Sequence, residues 1–378
     1  MYYVPLIALI VLVIIEYKYK WKYAYYIGLV MLILMVCLRF GQGTDYFAYL
    51  RAYYVEDVHS EIGYRLICKL FQLGKIRYEI LSGFIGFVTM YCLDKAIRKY
   101  SPSRTLSLLL VYPTIFLTYF FSATRQGFVI AFFVGFMLTW LEEEKWCRYL
   151  LASLMLMTIH IAAVMFLPIL FIKKMSLKSI YWLVGIAMIC GITFALLPDE
   201  LFLITSLEKL RLSQYLSSRN VSILGLAERC SMLVLIVFLY RQNLCGENNK
   251  LQNIQLIYKI YLYGFSVTIM FMPWSLMSSR IPAALKAVEI LLIPIMLNNS
   301  KRLQKLVATM LILYVVVMTT KNLYSYIQQS APYYNGYSPL TYPYISVLNK
   351  DKYKDIWYNN EIYQNYIYYR DCAHKLTF

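Results

Sequence analysis

Twelve apolar blocks follow one another along the chain, at roughly 2–15, 23–38, 78–94, 105–121, 127–141, 147–159, 161–172, 179–197, 226–240, 254–272, 281–297 and 306–320. Continuous runs of this kind predict membrane helices and not a barrel of alternating strands. The connectors alternate in character. Lys18/Lys20/Lys22, Lys95/Arg98/Lys99/Arg104, Lys145/Arg148, Lys173/Lys174/Lys178, Arg241/Lys250 and Lys301/Arg302/Lys305 make every second one short and basic. The positive-inside rule places these in the cytoplasm. Twelve crossings then put both termini outside, together with the longer segments 39–77, 198–225 and 321–378. What remains is about 21 residues per crossing, connector included, against about 20 for a full span, so some spans must be short or broken. The tightest stretch is 147–172, which must enter and leave as a hairpin. Read as one helix, it gives eleven spans and inverts everything after it. Residues 1–16 carry no basic leader and no small-residue cleavage site, and read as a first span.

Composition sharpens this into a class. Sixty per cent of the 378 residues are apolar and 15% are charged, against roughly 45–50% and about 25% in soluble domains. This excludes a secreted disulfide scaffold, a cytosolic enzyme and a disordered tail. The formal charge of +17 could suggest nucleic acid, but the basic residues sit in the connectors, so a nucleic-acid partner is not expected. The expected fold is an all-α polytopic membrane protein of about twelve transmembrane helices (eleven possible), with outer-face loops forming the site. Residues 1–320 form the membrane domain and 321–378 a tail. The eight Cys show no C-x-x-C spacing, and the three His form no metal signature. No Asp-x-Asp pair and no P-loop is present, so neither metal nor cofactor is expected. Residues 201–216 read as an amphipathic helix on the outer interface. The tail holds 13 Tyr in 58 residues. It reads as disordered and extracytoplasmic, with a glycan or interface contact as the alternative.

Candidate chemistry gathers at the non-cytoplasmic ends of the spans. Arg39 ends the second span. Arg125 and Gln126 begin the fifth, Arg229 the ninth beside Glu228, and Arg280 precedes the eleventh. One such Arg reads as an interfacial anchor. Four of them against the positive-inside trend point to function. A small-residue stripe of Gly127, Ala131 and Gly135 follows Arg125 and lets a neighbouring helix pack closely. A guanidinium fixed in this way suits pyrophosphate, whose oxygens it can bind bidentately. In the first outer segment, Gly41 and Gly43 allow a tight turn before Asp45, with Tyr46 and Tyr49 on the stretch after it. Asp45 is either a helix N-cap helped by Thr44 or a carboxylate that takes a proton or orients a sugar hydroxyl. His160 lies at the apex of the short hairpin.

The set Arg-x-Gly-x-Gly-Thr-Asp-Tyr-x-x-Tyr at 39–49, Glu-x-Gly-Tyr at 61–64, Ser-x-x-Arg-Gln at 122–126 and His160 between two short apolar runs resembles the EpsG-like family of Wzy-type polymerases of O-antigen, capsule or exopolysaccharide units. Arg280-Ile281 after two serines resembles that family's late motif, although Pro282 stands where an aromatic is more usual. The resemblance covers roughly residues 25–300 and does not include the Tyr-rich tail. It implies repeat-unit polymerisation at the outer face of a bacterial plasma membrane. The growing chain leaves polyprenyl pyrophosphate and joins a new lipid-linked unit. Asp45, His160 and Arg125 are then the expected catalytic groups. Arg39, Thr44, Tyr46, Tyr49, Glu61, Tyr64, Gln126, Arg229 and Arg280 are the expected substrate contacts. The expected partners are lipid-linked oligosaccharides and the bilayer, with a chain-length regulator and a flippase beside them. The rival readings are an O-antigen ligase or other lipid-linked-sugar glycosyltransferase, a flippase-type transporter, and an acyltransferase using His160.

Overall fold

The computed structural model describes residues 1–55, 61–197, 220–244, 251–299, 304–329, 337–358, 363–365 and 367. Glu56-Asp57 and the expected interfacial helix at 201–216 lie outside the described residues. Among those described, the chain is helical, with two isolated β-bridges and no strand. In order the helices are α1 Tyr3–Tyr19, α2 Tyr23–Cys37, α3 Tyr46–Tyr54, α4 Ile62–Leu73, α5 Tyr78–Tyr100, α6 Arg104–Phe120, α7 Thr124–Glu142 and α8 Trp146–Met157. There follow α9 Ile169–Lys174, α10 Leu177–Leu196, α11 Ile223–Leu244, α12 Leu251–Met270, α13 Ser275–Arg280, α14 Ala283–Lys286, α15 Glu289–Asn299, α16 Gln304–Gln329 and α17 Lys354–Trp357.

Five helices are long and apolar enough to cross a membrane: α5, α7, α10, Ile223–Asn243 of α11 and Lys305–Ile327 of α16. α2, α6, α8 and Ile254–Met270 of α12 are apolar but shorter. The protein is therefore a multi-pass membrane protein, but the described helices do not amount to twelve full spans. The shortfall has local causes. The stretch 147–172 is neither a full hairpin nor one helix: α8 has 12 residues, followed by a 3-10 segment Ile161–Phe166 and the six-residue α9. At about 1.5 Å per residue, α8 reaches about 18 Å, well short of a bilayer. The run 281–297 is divided between Lys286 and Glu289 into α14 and α15, with Pro282 just before α14, Pro294 inside α15 and the short α13 ahead of both. The apolar runs that became α6 and α7 each contain a π-helical segment, Tyr112–Phe120 and Phe133–Met137.

The chain forms two compact units. The first comprises 1–136, 155–161 and 303–378; the second comprises 137–154 and 162–302. In the first unit the helices have two chemically distinct ends. At one end Glu16 accepts hydrogen bonds from Ser103 Oγ and the Thr105 amide, Tyr25 donates to Asp94 at 2.7 Å, and Arg98 pairs with Asp94 at 2.8 Å. This is the end that carries the basic connectors 18–22 and 95–104. At the other lie Tyr2, the 39–45 turn and Ser122, where the Tyr112 hydroxyl donates to the Tyr2 carbonyl at 2.6 Å. Residues 337–358, expected to be disordered, are folded onto this second end. Phe40 N donates to Ile345 O at 3.0 Å and Val347 N to Leu38 O at 2.8 Å.

Close helix contacts fix α7. Gly127 and Gly135 sit where a Cβ would strike the Tyr119 carbonyl (2.6 Å) and the Cys92 carbonyl respectively, and Ala131 is fully buried. The small-residue stripe thus faces α6 and α5. In the second unit α10 packs along α12, and the Tyr240 and Tyr258 rings stack at 3.9 Å. Gly135→Leu should cost about 1–3 kcal/mol through overpacking against the α5 backbone. Gly185, which has nothing within 4 Å of its Cβ position, should accept Ala with no loss. Thermal unfolding of the two detergent-solubilised variants checks the contrast.

Candidate functional site

The 39–45 turn is built by two glycines with positive φ, Gly41 at 63° and Gly43 at 98°. At Gly43 a side chain would also collide with Phe121 O at 2.5 Å and Ser122 Cα at 2.8 Å. The turn therefore presses against the 121–124 corner that opens α7, and the two motifs meet. Thr44 Oγ1 and Ser122 Oγ are 2.7 Å apart, and Thr44 also donates to Asp45 Oδ1 at 3.1 Å. Asp45 occupies the N-cap position of α3 but makes no side-chain cap bond. Its other oxygen accepts from the Tyr49 hydroxyl at 3.4 Å. Of the two readings of Asp45, the capping one is not realised. The carboxylate is half-buried and faces hydroxyls.

Arg125 is the next link. Its guanidinium lies 4.9 Å from the Tyr49 ring centre and 5.0 Å from that of Tyr64, and Nη1 pairs with Glu61 Oε2. Only 16% of its side chain is exposed, against 24% for Glu61. Glu61 likewise stands at a helix start without capping it, because its carboxylate is turned to Arg125. Burial pushes the Tyr64 phenol well above its ordinary pKa, and that of Tyr46 too. Both remain neutral, so they offer π faces to cations and do not act as bases. Gln126 is buried beside Arg125. His160 follows α8 in a turn whose Thr158 carbonyl accepts the Gly63 amide at 2.8 Å. This sets the His160 segment against the start of α4, next to Glu61 and Tyr64.

Arg39 is 1% exposed. Nη1 donates to Gln42 O at 3.4 Å and Nη2 to Ser82 Oγ at 3.3 Å, and the Tyr46 and Phe121 rings lie 5.5 and 5.4 Å away. Nε has no hydrogen-bond partner, and among the described residues no carboxylate pairs with this cation. A buried cation without a counter-charge is costly, which makes Arg39 the more anion-seeking of the two arginines.

Arg229 and Arg280 belong to the second unit. Arg229 Nη1 donates to Ser278 O at 2.8 Å and to Ser278 Oγ at 3.0 Å, which fixes it to α13, the short helix that Arg280 ends. Glu289 lies within electrostatic reach of Lys286, Glu228 and Arg229. Reading 281–297 as apolar passed over Lys286 and Glu289, yet charged residues inside an apolar run are themselves a signal. Ser82 and Gln42 were also missed as site residues. Nothing in their local spacing marks them, because their importance comes from contacts distant in sequence.

The arrangement joins a half-open carboxylate, through one tyrosine, to a guanidinium already held in place. Tyr49→Phe should keep the ring beside Arg125 and lose the hydroxyl that bonds Asp45 and Arg125, at about 0.5–1.5 kcal/mol for each hydrogen bond. Tyr49→Ala should cost about 3–5 kcal/mol, by loss of a buried aromatic ring. Unfolding midpoints of both variants in detergent check this.

The EpsG family model matches residues 22–335, a stretch containing every candidate residue named above. No curated protein and no solved structure matches the chain.

Proposed function

The chain belongs to the EpsG family, a family associated with Wzy-type polysaccharide polymerases, and on that premise we propose that it polymerises polyprenyl-pyrophosphate-linked oligosaccharide units at the outer face of a bacterial plasma membrane. In each cycle the bond between the anomeric carbon and pyrophosphate breaks. A hydroxyl oxygen of the next lipid-linked unit forms the new glycosidic bond, its proton passes to the enzyme, and polyprenyl pyrophosphate leaves. The transition state has oxocarbenium character, with negative charge growing on the leaving group.

The observation that carries this reading is the unbroken sequence Ser122–Thr44–Asp45–Tyr49–Arg125–Glu61 at one end of the first unit. Asp45 is the proposed base, since its carboxylate is half-open and oriented by two hydroxyls. Arg125 is the proposed stabiliser of the leaving pyrophosphate. Its pairing with Glu61 and the two flanking aromatic rings hold the guanidinium in place before substrate arrives, so its charge need not reorganise during the reaction. Arg39 adds a second cation. His160, set against the α4 start, is the proposed acceptor-side contact. In the second unit, Arg229 and Arg280 are proposed contacts to lipid-linked anions. A chain-length regulator and a flippase are the proposed partners. A transporter is less well supported, because its ionisable groups belong near the bilayer midplane, whereas those of the first unit gather at helix ends.

Arg125→Ala should reduce polymer formation about 10²–10³-fold, leaving surface glycan as single units in cells that hold normal amounts of the protein. Polymer of wild-type length from that variant would remove Arg125 from the mechanism. The sidedness is tested independently. Thr44→Cys should react with a membrane-impermeant maleimide from outside intact cells, and Lys20→Cys only after permeabilisation. The reverse pattern would place the site on the cytoplasmic face.

A further inference from the structure

The Arg39 turn is gripped by a part of the chain that lies beyond the family match, and the grip converges on one side chain. Gln42 is fully buried. Its Oε1 accepts from the Tyr2 hydroxyl at 2.7 Å and from the Ile345 amide at 2.9 Å, while Nε2 donates to the Pro343 carbonyl at 2.7 Å. Its own backbone carbonyl accepts Arg39 Nη1. On either side of Arg39, the chain pairs with residues 345–347 through the two backbone bonds of Phe40 and Val347, in an antiparallel bridge between Arg39 and Ser346. Gly43 N donates to the Tyr326 hydroxyl at 2.8 Å, and Trp357 packs edge-on against Phe40 at 5.0 Å. Residues 343–347 thus form a strap across the turn, and Gln42 is its buckle.

We propose that Gln42 and the strap at 343–347 are positioning elements of the polymerase: they set the Arg39 guanidinium for the leaving pyrophosphate, and the tail beyond residue 335 is part of the working enzyme. The Gln42 amide takes two donors on Oε1 and gives one proton from Nε2 to a carbonyl without adding charge beside Arg39, and Met in its place can do none of this. Among the described residues no carboxylate orients Arg39, and its direction is set by the Gln42 carbonyl, Ser82 and two aromatic faces. A misplacement of about 1 Å in such a group can cost about 10²-fold in rate. This inference rests on the role given to Arg39 under the proposed function.

The test is a double-mutant cycle in the full-length protein, in membranes, supplied with lipid-linked repeat units extracted from a strain lacking the gene. With Arg39 present, Gln42→Met should lower the initial rate of polymer formation about 10–100-fold. The loss should fall on kcat and leave KM nearly unchanged, as for an interaction made in the transition state. In the Arg39→Lys background the same substitution should change the rate by no more than about twofold, since the group it positions is already compromised. Ile345→Pro removes the tail amide that Gln42 accepts and should repeat the pattern. It decides the matter if Gln42→Met fails to accumulate. An equal further loss on Arg39→Lys would mean that the strap only holds the fold; the inference fails and the role of Arg39 stands. A wild-type rate in Arg39→Lys alone would remove Arg39 from the reaction, and both claims with it.

Discussion

Holding a guanidinium away from water at the end of a membrane helix is the constraint on which this end of the molecule is organised. Arg125 cannot be buried alone, and its surroundings read as a set of answers to that cost. Two aromatic faces flank it, one carboxylate pairs with it, and that carboxylate comes from a helix start that gives up its own cap to do so. The stripe Gly127, Ala131 and Gly135 brings α7 tight against its neighbours and so limits where Arg125 can go. Tyr49 completes the arrangement, because one ring both faces the cation and presents its hydroxyl to Asp45. A cation satisfied in this way is preorganised, and preorganised charge is the most effective form of transition-state stabilisation.

The opposite end of the first unit obeys the same physics with a different outcome. There Glu16 accepts hydrogen bonds from the start of α6, while Asp94 accepts from Tyr25 and pairs with Arg98. Carboxylates at that end serve helix termini and connectors. At the site end, Asp45 and Glu61 both stand at helix starts, and neither caps its helix. Side chains diverted from an available local role are what distinguishes one end of the first unit from the other.

Much of this was legible in the sequence, and the reasons are physical. The all-helical membrane class follows from apolar run length, and the polarity of the ends from the alternation of basic connectors. The meeting of 39–49 with 61–64 and 122–126 was legible only as a shared family pattern, since spacing alone cannot bring loops together. Span count was the poorest reading. Hydropathy registers an apolar run whether or not it stays one helix, so it missed the break between Lys286 and Glu289 inside 281–297 and counted the two short runs on either side of His160 as full crossings. The tail was misjudged for a related reason. Among its described residues, Tyr342 and Tyr344 pack individually, one on the Tyr2 ring and the other through its hydroxyl to the Met35 carbonyl, and such contacts leave no periodicity to read. Gln42 was invisible, since a single amide in a glycine-rich turn gives no sign of partners 40 and about 300 residues away.

The central claim is that one end of this protein transfers a saccharide from a pyrophosphate-linked lipid to another lipid-linked unit. The most direct measurement uses the purified full-length protein in liposomes, with lipid-linked repeat units from a strain lacking the gene as the only substrate. The account predicts a ladder of lipid-linked saccharides growing by whole units, with one polyprenyl pyrophosphate released for each unit added. Movement of units between leaflets without growth or release of the carrier would contradict it.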